Sequence, residues 1–253
     1  MGLVEDLYTE ILENTYISGR LYKLVIRVSD KIIEKIQPGH FAMIKPSDTY
    51  DPMGRRALAV ADIDEHRLIF YYEVFGKGTA LLSKRKVGEK IRVLLPLGKR
   101  LFNFEGDKHL LVGGGVGLAG LTLLAKKLRD MGKKVFIAYG GRNKEHIGMI
   151  EWLEREEIPY EVFTDDGSFG KKGYVTEILR EFPKDWVVHA CGPKPMLKTI
   201  KRMRTGHKVY FSLEERMACG WGVCLGCVVK TAGGTFKRVC IEGPVMPMEE
   251  VVI

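Results

Sequence analysis

The chain of 253 residues has a single glutamine, Gln37, and only three asparagines, Asn14, Asn103 and Asn143, although 28% of it is charged. Few thermolabile amides beside many lysines and glutamates is the composition of proteins from hot-living sources. No apolar run approaches the ~20 residues of a membrane-spanning helix. The start, Met1-Gly2-Leu3-Val4-Glu5-Asp6, is acidic where a secretory signal is basic and then apolar. These absences place the expected setting in the cytoplasm, where thiols stay reduced and free to bind metal. No two of the histidines His40, His66, His109, His146, His189 and His207 form an i, i+4 ligand pair, so structural or surface roles are expected for them. A G-x-S-x-G elbow is absent, which removes the usual hydrolase nucleophile. The net charge of +8 does not signal a nucleic-acid binder, because the basic residues are scattered among 32 acids. No internal repeat and no Pro/Gly/Ser-rich linker appear, so the modules are expected to pack directly on one another.

What is present concentrates near the C-terminus. Of the five cysteines, Cys219, Cys224, Cys227 and Cys240 follow one another with gaps of four, two and twelve residues. C-x4-C-x2-C with a later fourth cysteine is the ligand spacing of a plant-type [2Fe–2S] cluster. Gly220, Gly222 and Gly226 are expected to let backbone N–H groups approach the sulfur atoms. A structural zinc site also uses four cysteines, but normally as two tight knuckles, and here only one pair is tight. A disulfide staple is the weakest alternative, given how close Cys224 and Cys227 stand.

Two patterns precede this loop. Residues 1–100 predict about six short strands in an antiparallel Greek-key barrel: Leu7–Tyr16, Arg20–Val28, Phe41–Ile44, a hairpin of Arg56–Ile63 with Arg67–Val74, and Ile91–Leu95. From Lys108 onward strands and helices alternate, which predicts a parallel sheet. Its strands are His109–Val112, Val135–Tyr139, Tyr160–Thr164, Trp186–Ala190 and Val209–Leu213. The fold class is therefore a β barrel plus α/β, with spans 1–100, 101–206 and 207–253 for barrel, nucleotide domain and cluster lobe.

The turn Gly113-Gly114-Gly115-Val116-Gly117, with Gly120, matches a dinucleotide fingerprint between a strand and a helix. The acid expected about 20 residues later is missing, so this is not an ordinary Rossmann half. A glycine turn between strand and helix also has a purely structural use. Thr164-Asp165-Asp166-Gly167-Ser168 and Cys191-Gly192-Pro193-Lys194-Pro195-Met196 follow strands, where open α/β sheets bind ligands. Asp165 or Asp166 suits ribose hydroxyls and so NAD, while Arg142 pulls toward a phosphate; the balance favours NAD. Cys191 reads as a packed thiol beside the nucleotide. In the barrel, Gly76-Lys77-Gly78-Thr79 opens a short helix suited to a flavin pyrophosphate, with Arg56 as a charge-assisted partner. Each of these two features alone is as easily a turn or a surface arginine.

In order along the chain, Pro38-Gly39-x-Phe41, Arg55-Arg56, Gly76–Thr79, Pro96-Leu97-Gly98, the triple glycine, Thr164–Ser168, Cys191–Met196 and Ser212–Cys227 resemble the electron-transfer subunits of NAD-linked, iron–sulfur dihydroorotate dehydrogenases, in the ferredoxin reductase-like superfamily. The resemblance spans essentially the whole chain. It implies an FAD-binding barrel, an NAD-binding domain and a [2Fe–2S] lobe ligated by Cys219, Cys224, Cys227 and Cys240. By the same resemblance Arg56, Ala57, Leu58 and Ala59, then Tyr71, Tyr72 and Glu73, then Gly78 and Thr79 meet FAD. NAD falls to Gly114, Gly115, Gly117, Asp165, Asp166, Cys191 and Gly192. The chain departs from the family at Ala59 (usually serine), Ala57 and Gly120 (usually proline) and Glu73 (usually basic). The implied activity is a relay that takes electrons from an FMN-containing catalytic subunit to NAD+, in a heterotetramer of two subunits of each kind. The rival readings are the same module serving a sulfhydrogenase or a ferredoxin:NAD(P) oxidoreductase, and a non-enzymatic zinc-binding adaptor. The amide-poor composition predicts a thermal midpoint above the mesophile range of about 45–65 °C, to be read by scanning calorimetry.

Overall fold

The computed structural model describes residues 4–253; residues 1–3 of the acidic N-terminal stretch lie outside them. The first half folds as β1 (Glu5–Ser18), β2 (Leu21–Arg27), α1 (Asp30–Ile33), β3 (Phe41–Ile44), β4 (Arg56–Ala59), β5 (Asp62–Asp64), β6 (Arg67–Glu73), α2 (Lys77–Leu82) and β7 (Lys90–Leu97). These seven strands form one sheet in the order β4-β3-β7-β1-β2-β6-β5, with every neighbouring pair antiparallel. The sheet curls until β4 lies against β6. Its interior is an apolar core that includes Ile11, Leu24, Ile26, Ile44, Phe70 and Tyr72.

The expected six strands become seven because the Arg56–Ile63 run divides. At Val60 the backbone N–H still bonds to His40 O at 2.9 Å, on the β3 side; at Ala61 it bonds to Ile69 O at 2.9 Å, on the β6 side. The chain thus changes partners between adjacent residues, and only β5 makes the hairpin with β6. Side-chain periodicity is blind to such a corner, since both halves read as strand.

The second half follows the predicted alternation closely. It runs β8 (Lys108–Gly114), a 3-10 turn (Gly115–Leu118), α3 (Ala119–Asp130), β9 (Lys134–Gly141), α4 (Ile150–Glu156), β10 (Tyr160–Thr164), β11 (Lys171–Lys172), β12 (Val187–Cys191), α5 (Lys194–Met203) and β13 (Val209–Ser212). Strands β8, β9, β10, β12 and β13 pair in parallel. Helix α3 forms because Leu121, Leu124, Ala125 and Leu128 recur at helical spacing and bury one face. After the cysteine loop come β14 (Val228–Lys230), β15 (Phe236–Arg238), α6 (Val239–Glu242) and β16 (Val245–Pro247). Strand β16 returns to the α/β sheet and pairs antiparallel with the edge strand β13. Residues 207–253 therefore contribute two strands to that sheet besides carrying the cysteines.

No linker separates the modules. Phe41, Met43 and Leu97 of the barrel share one core with Leu110, Val188 and Phe211 of the sheet and with Cys227, Val239 and Cys240 of the lobe. A second core joins Val25, Ile69 and Tyr71 to α3 and α4. One carboxylate pins this junction. Asp62 on β5 is 2% exposed, and its Oδ1 accepts from Lys126 Nζ at 2.6 Å and from the Ile63 N–H at 2.8 Å. Its Oδ2 accepts from Trp152 Nε1 at 3.2 Å, with Arg155 Nη2 at 3.6 Å. Next to it, Thr122 Oγ1 donates to Ala61 O at 2.5 Å. Removing one partner of a buried pair leaves the other charge uncompensated. Asp62→Ala is expected to lower unfolding stability by about 3 kcal/mol, the low end of the range because Lys126 stays partly solvated; guanidinium denaturation followed by far-UV dichroism measures it.

Candidate cofactor sites

The cysteine loop has almost no regular secondary structure, and packing holds it in place. Gly220 (φ +69°) lies flat on the barrel wall: a Cβ there would stand 2.5 Å from Met43 Cγ and 3.2 Å from Leu97 Cδ1. Gly222 (φ +83°) covers Ile241, whose Cγ1 would lie 2.4 Å from an added Cβ. Both positions need glycine for conformation and for space. The third left-handed residue is Leu225 (φ +56°). Gly226 makes the approach expected of it, donating its N–H to Cys224 Sγ at 3.4 Å, and ordinary contact distance is left above it.

The four thiols are arranged in two pairs. Cys227 Sγ and Cys240 Sγ are 3.2 Å apart, both cysteines being almost fully buried. Cys219 and Cys224 hydrogen-bond to each other at the more exposed end. Two thiols per metal is the distribution a two-iron cluster requires, whereas a zinc site requires four donors converging on one point. Burial works to raise the Cys219 pKa, but backbone N–H groups of Cys224, Trp221 and Val223 and the Cys224 thiol outweigh it and hold the thiol at about 6. The Trp221 N–H approaches Cys219 Sγ at 3.3 Å. Burial, then the neighbouring Cys227 thiol, pushes Cys240 up to about 12. The N–H groups around Cys219 thus favour its thiolate, while burial beside Cys227 disfavours that of Cys240.

The flavin candidates converge on one wall. The guanidinium of Arg56 lies across Gly78, where a Cβ would fall 2.1 Å from Arg56 Nη2. Its Nη1 donates to Gly54 O at 2.8 Å. Arg55 is committed elsewhere, to Asp6 at 2.9 and 2.8 Å. The Thr79 hydroxyl shapes its own turn, accepting from the Phe75 N–H at 2.9 Å. Leu58 and Tyr72 face the barrel core, and Tyr72 OH donates to Asn14 Oδ1 at 2.8 Å, so only their backbone is open to a ligand. Tyr71 turns to the other face, against α3 and α4. Ala57 packs toward the core shared with the cluster lobe.

The nucleotide candidates meet that wall through α3. A Cβ on Gly120 would lie 3.1 Å from Cys191 Sγ and 3.9 Å from Ala59 Cβ, so flavin strand and nucleotide strand face each other across one helical turn. Gly114 is closed over by Met196 and Pro193, and Gly117 by the Cys191 carbonyl, at 2.5 Å from a Cβ. Gly115 (φ +54°) alone in the turn has open space above it, with Glu73 Oε1 nearest. Gly192 closes on the backbone of Gly114. Asp165 is exposed at the end of β10, beside the exposed Arg142. The Asp166 carboxylate is held by Ser168, accepting from its Oγ at 2.6 Å and its N–H at 2.9 Å, which lowers its pKa.

One group at this junction is not apparent from sequence pattern. Glu214 follows β13 and turns its Oε1 to Cys191 Sγ at 3.7 Å. The residue has an exposed face, but the protein crowded around its carboxylate raises the pKa, and the charge of Glu73 adds to the effect. Cys191 itself is 1% exposed, and burial followed by the Glu214 charge holds its thiol well above the usual range. Only the position of Glu214, immediately after a predicted strand, hinted at a role.

Comparison with known proteins decides the family. A protein of Aquifex aeolicus (strain VF5), described as a dihydroorotate dehydrogenase B (NAD(+)), electron transfer subunit homolog, is 78% identical over 99% of this chain and the whole of its own length. The dihydroorotate dehydrogenase B (NAD(+)) electron transfer subunit of Bacillus velezensis is 39% identical over 96% of this chain and 97% of its own. The chain belongs to the dihydroorotate dehydrogenase B electron-transfer subunit family. The iron–sulfur cluster binding domain of dihydroorotate dehydrogenase B matches residues 214–252, which begin at Glu214 and take in all four paired cysteines. A solved NADH-dependent reduced ferredoxin-NADP oxidoreductase is similar in structure, with TM-score 0.86 and 31% identity over 97% of this chain and 90% of that one. Phthalate dioxygenase reductase, at TM-score 0.67 and 17% identity over 97% of this chain and 77% of that one, shares the fold. Within the family's cysteine loop, Gly222→Ala is expected to reduce iron and sulfide per chain several-fold while far-UV dichroism stays unchanged; metal analysis after anaerobic purification reads the outcome.

Proposed function

We propose that this chain is the electron-transfer subunit of an NAD-linked dihydroorotate dehydrogenase, taking electrons from an FMN-containing catalytic subunit and delivering them to NAD+. The observation that carries the reading is the alignment of the three sites. The cysteine loop presents Trp221, Val223 and Leu225 to solvent at 43%, 77% and 59% exposure. Its other side rests on β3 and β7 of the barrel through Gly220. The barrel in turn meets the nucleotide strands at Ala59, Gly120 and Cys191. Three exposed apolar side chains gathered at the tip of the cysteine loop fit a docked partner, here the catalytic subunit in a heterotetramer of two subunits of each kind.

In this reading Cys219 and Cys224 hold one iron and Cys227 and Cys240 the other. Arg56 offers charge to the flavin diphosphate, the backbones of Ala57–Ala59 and Tyr71–Glu73 flank the ring system, and Gly78 and Thr79 form the turn beneath the phosphates. Gly114, Gly115 and Gly117 shape the nucleotide turn, Gly192 brings α5 to it, and Asp165 and Asp166 receive ribose hydroxyls. When bound, [2Fe–2S] supplies single-electron transfer and FAD couples it to hydride exchange with NAD. The chain's own part is to position these groups: the protein crowded around Glu214 raises the pKa of the carboxyl that faces Cys191. The segments 1–100, 101–206 and 207–253 are the proposed flavin, nucleotide and cluster units. The proposed setting is the cytoplasm, and among the described residues no helix is long and apolar enough to cross a membrane.

A second reading is the same relay serving another partner, favoured by the 31% identity to the ferredoxin-NADP oxidoreductase structure over 97% of the chain. Anaerobic purification with iron, sulfide and flavin analysis, then an assay with the copurified FMN subunit, tests both. Dihydroorotate-dependent NAD+ reduction is the expected result. Iron, sulfide and flavin without that activity would point to another partner, and zinc with neither iron nor flavin would overturn the relay.

A further inference from the structure

Arg238 ends β15, opposite Val228 in the hairpin that follows Cys227. The next residue, Val239, donates its N–H to Cys227 O at 3.0 Å, and Cys240 follows it. The guanidinium is turned back toward the cysteine loop, and its Nη1 donates to Gly222 O at 2.8 Å. Its other edge is gripped by Glu242: Nε lies 3.1 Å from both carboxylate oxygens, and Nη2 donates to Oε1. Glu242 Oε2 also accepts the backbone N–H of Arg238 at 2.7 Å. About a third of each side chain is exposed, so solvent screens the pair only in part. The fork is held from two sides and cannot rotate away while Glu242 stays in place.

The peptide unit that carries Gly222 O also carries the Val223 N–H. That N–H lies on the loop between Cys219 and Cys224, two residues past the Trp221 N–H that approaches Cys219 Sγ at 3.3 Å. A cationic donor on the carbonyl polarises the peptide and strengthens the N–H at its far end. The left-handed turn at Gly222 (φ +83°) presents that carbonyl to Arg238 inside the cysteine loop.

We propose that Arg238 is a positioning residue that raises the reduction potential of the cluster through the Gly222–Val223 peptide, and that Glu242 both aims and moderates it. The proposal rests on the cluster reading above. Hydrogen bonds to the sulfur atoms and positive charge nearby favour the reduced, more negative state. The two partners should therefore act with opposite sign. Arg238→Gln removes the cation and leaves Glu242 uncompensated, so the midpoint should fall. Glu242→Gln keeps a hydrogen-bonding side chain in place but frees the charge of Arg238, so the midpoint should rise. Arg238→Lys retains charge without the fork and should fall between the native chain and Arg238→Gln.

The test is a potentiometric titration of the full chain, reconstituted anaerobically with iron and sulfide and followed by the electron paramagnetic resonance of the reduced cluster. Midpoints moving in opposite directions in the two glutamine variants support the proposal. Both moving the same way, or Glu242→Gln failing to move upward, overturns it, since a purely structural pair would perturb the loop alike in either variant. If Arg238→Gln does not load iron, the upward shift in Glu242→Gln decides alone. A native chain with no [2Fe–2S] signal would instead overturn the cluster reading itself.

Discussion

Close approach of backbone to side chain at Gly220 is the contact on which the arrangement depends. The loop of residues 219–227 has neither helix nor strand to give it shape, so its form must come from the surface beneath it. Met43 and Leu97 provide that surface, on adjacent strands of the barrel. Both belong to the core that also contains Cys227, Cys240 and Phe211. The thiols are therefore fixed relative to the flavin wall by apolar packing, the densest and least compressible medium a protein has. A charged or mobile seat would let the distance between redox centres drift.

Helix α3 does the equivalent work on the other side. Its first turn brings Ala59 and Cys191 to either side of Gly120 and holds Ala61 through Thr122, and one turn further on Lys126 holds Asp62. One rigid rod thus sets both the spacing of the two cofactor strands and the orientation of the barrel against the sheet. The small residues Ala59 and Gly120 lie where that rod passes closest. The space they leave is bounded by Cys191 and, beyond it, Glu214.

Much of this was legible in the sequence, for reasons that differ by region. The α/β half could be read almost residue by residue because its strands are apolar runs such as Leu110–Val112, buried on both faces, and its helices carry a strong 3.6-residue period. The cysteine spacing was legible because cluster chemistry fixes ligand number. What escaped detection was non-local. The exchange of partners between Val60 and Ala61 depends on His40 and Ile69, and the left-handed Leu225 depends on packing of the loop as a whole. Glu214 and the Arg238–Glu242 pair look like ordinary surface charge until the fold brings Cys191 and Gly222 beside them. Strand β16 is three residues long and was invisible as a strand because its pairing partner lies more than thirty residues earlier in the chain.

That short returning strand has a consequence for how the protein tolerates loss of its metal. Residues 213–244 leave the sheet at the end of β13 and come back beside it in β16, so both ends of the excursion are fastened to the same edge. A segment closed in this way has already met its loop-closure entropy, whatever occupies the thiols. The excursion is therefore held at two anchored points, and between them Cys227, Val239 and Cys240 are packed into the core shared by barrel and sheet. The lobe is a tethered socket, fastened to one edge of the sheet at both of its ends.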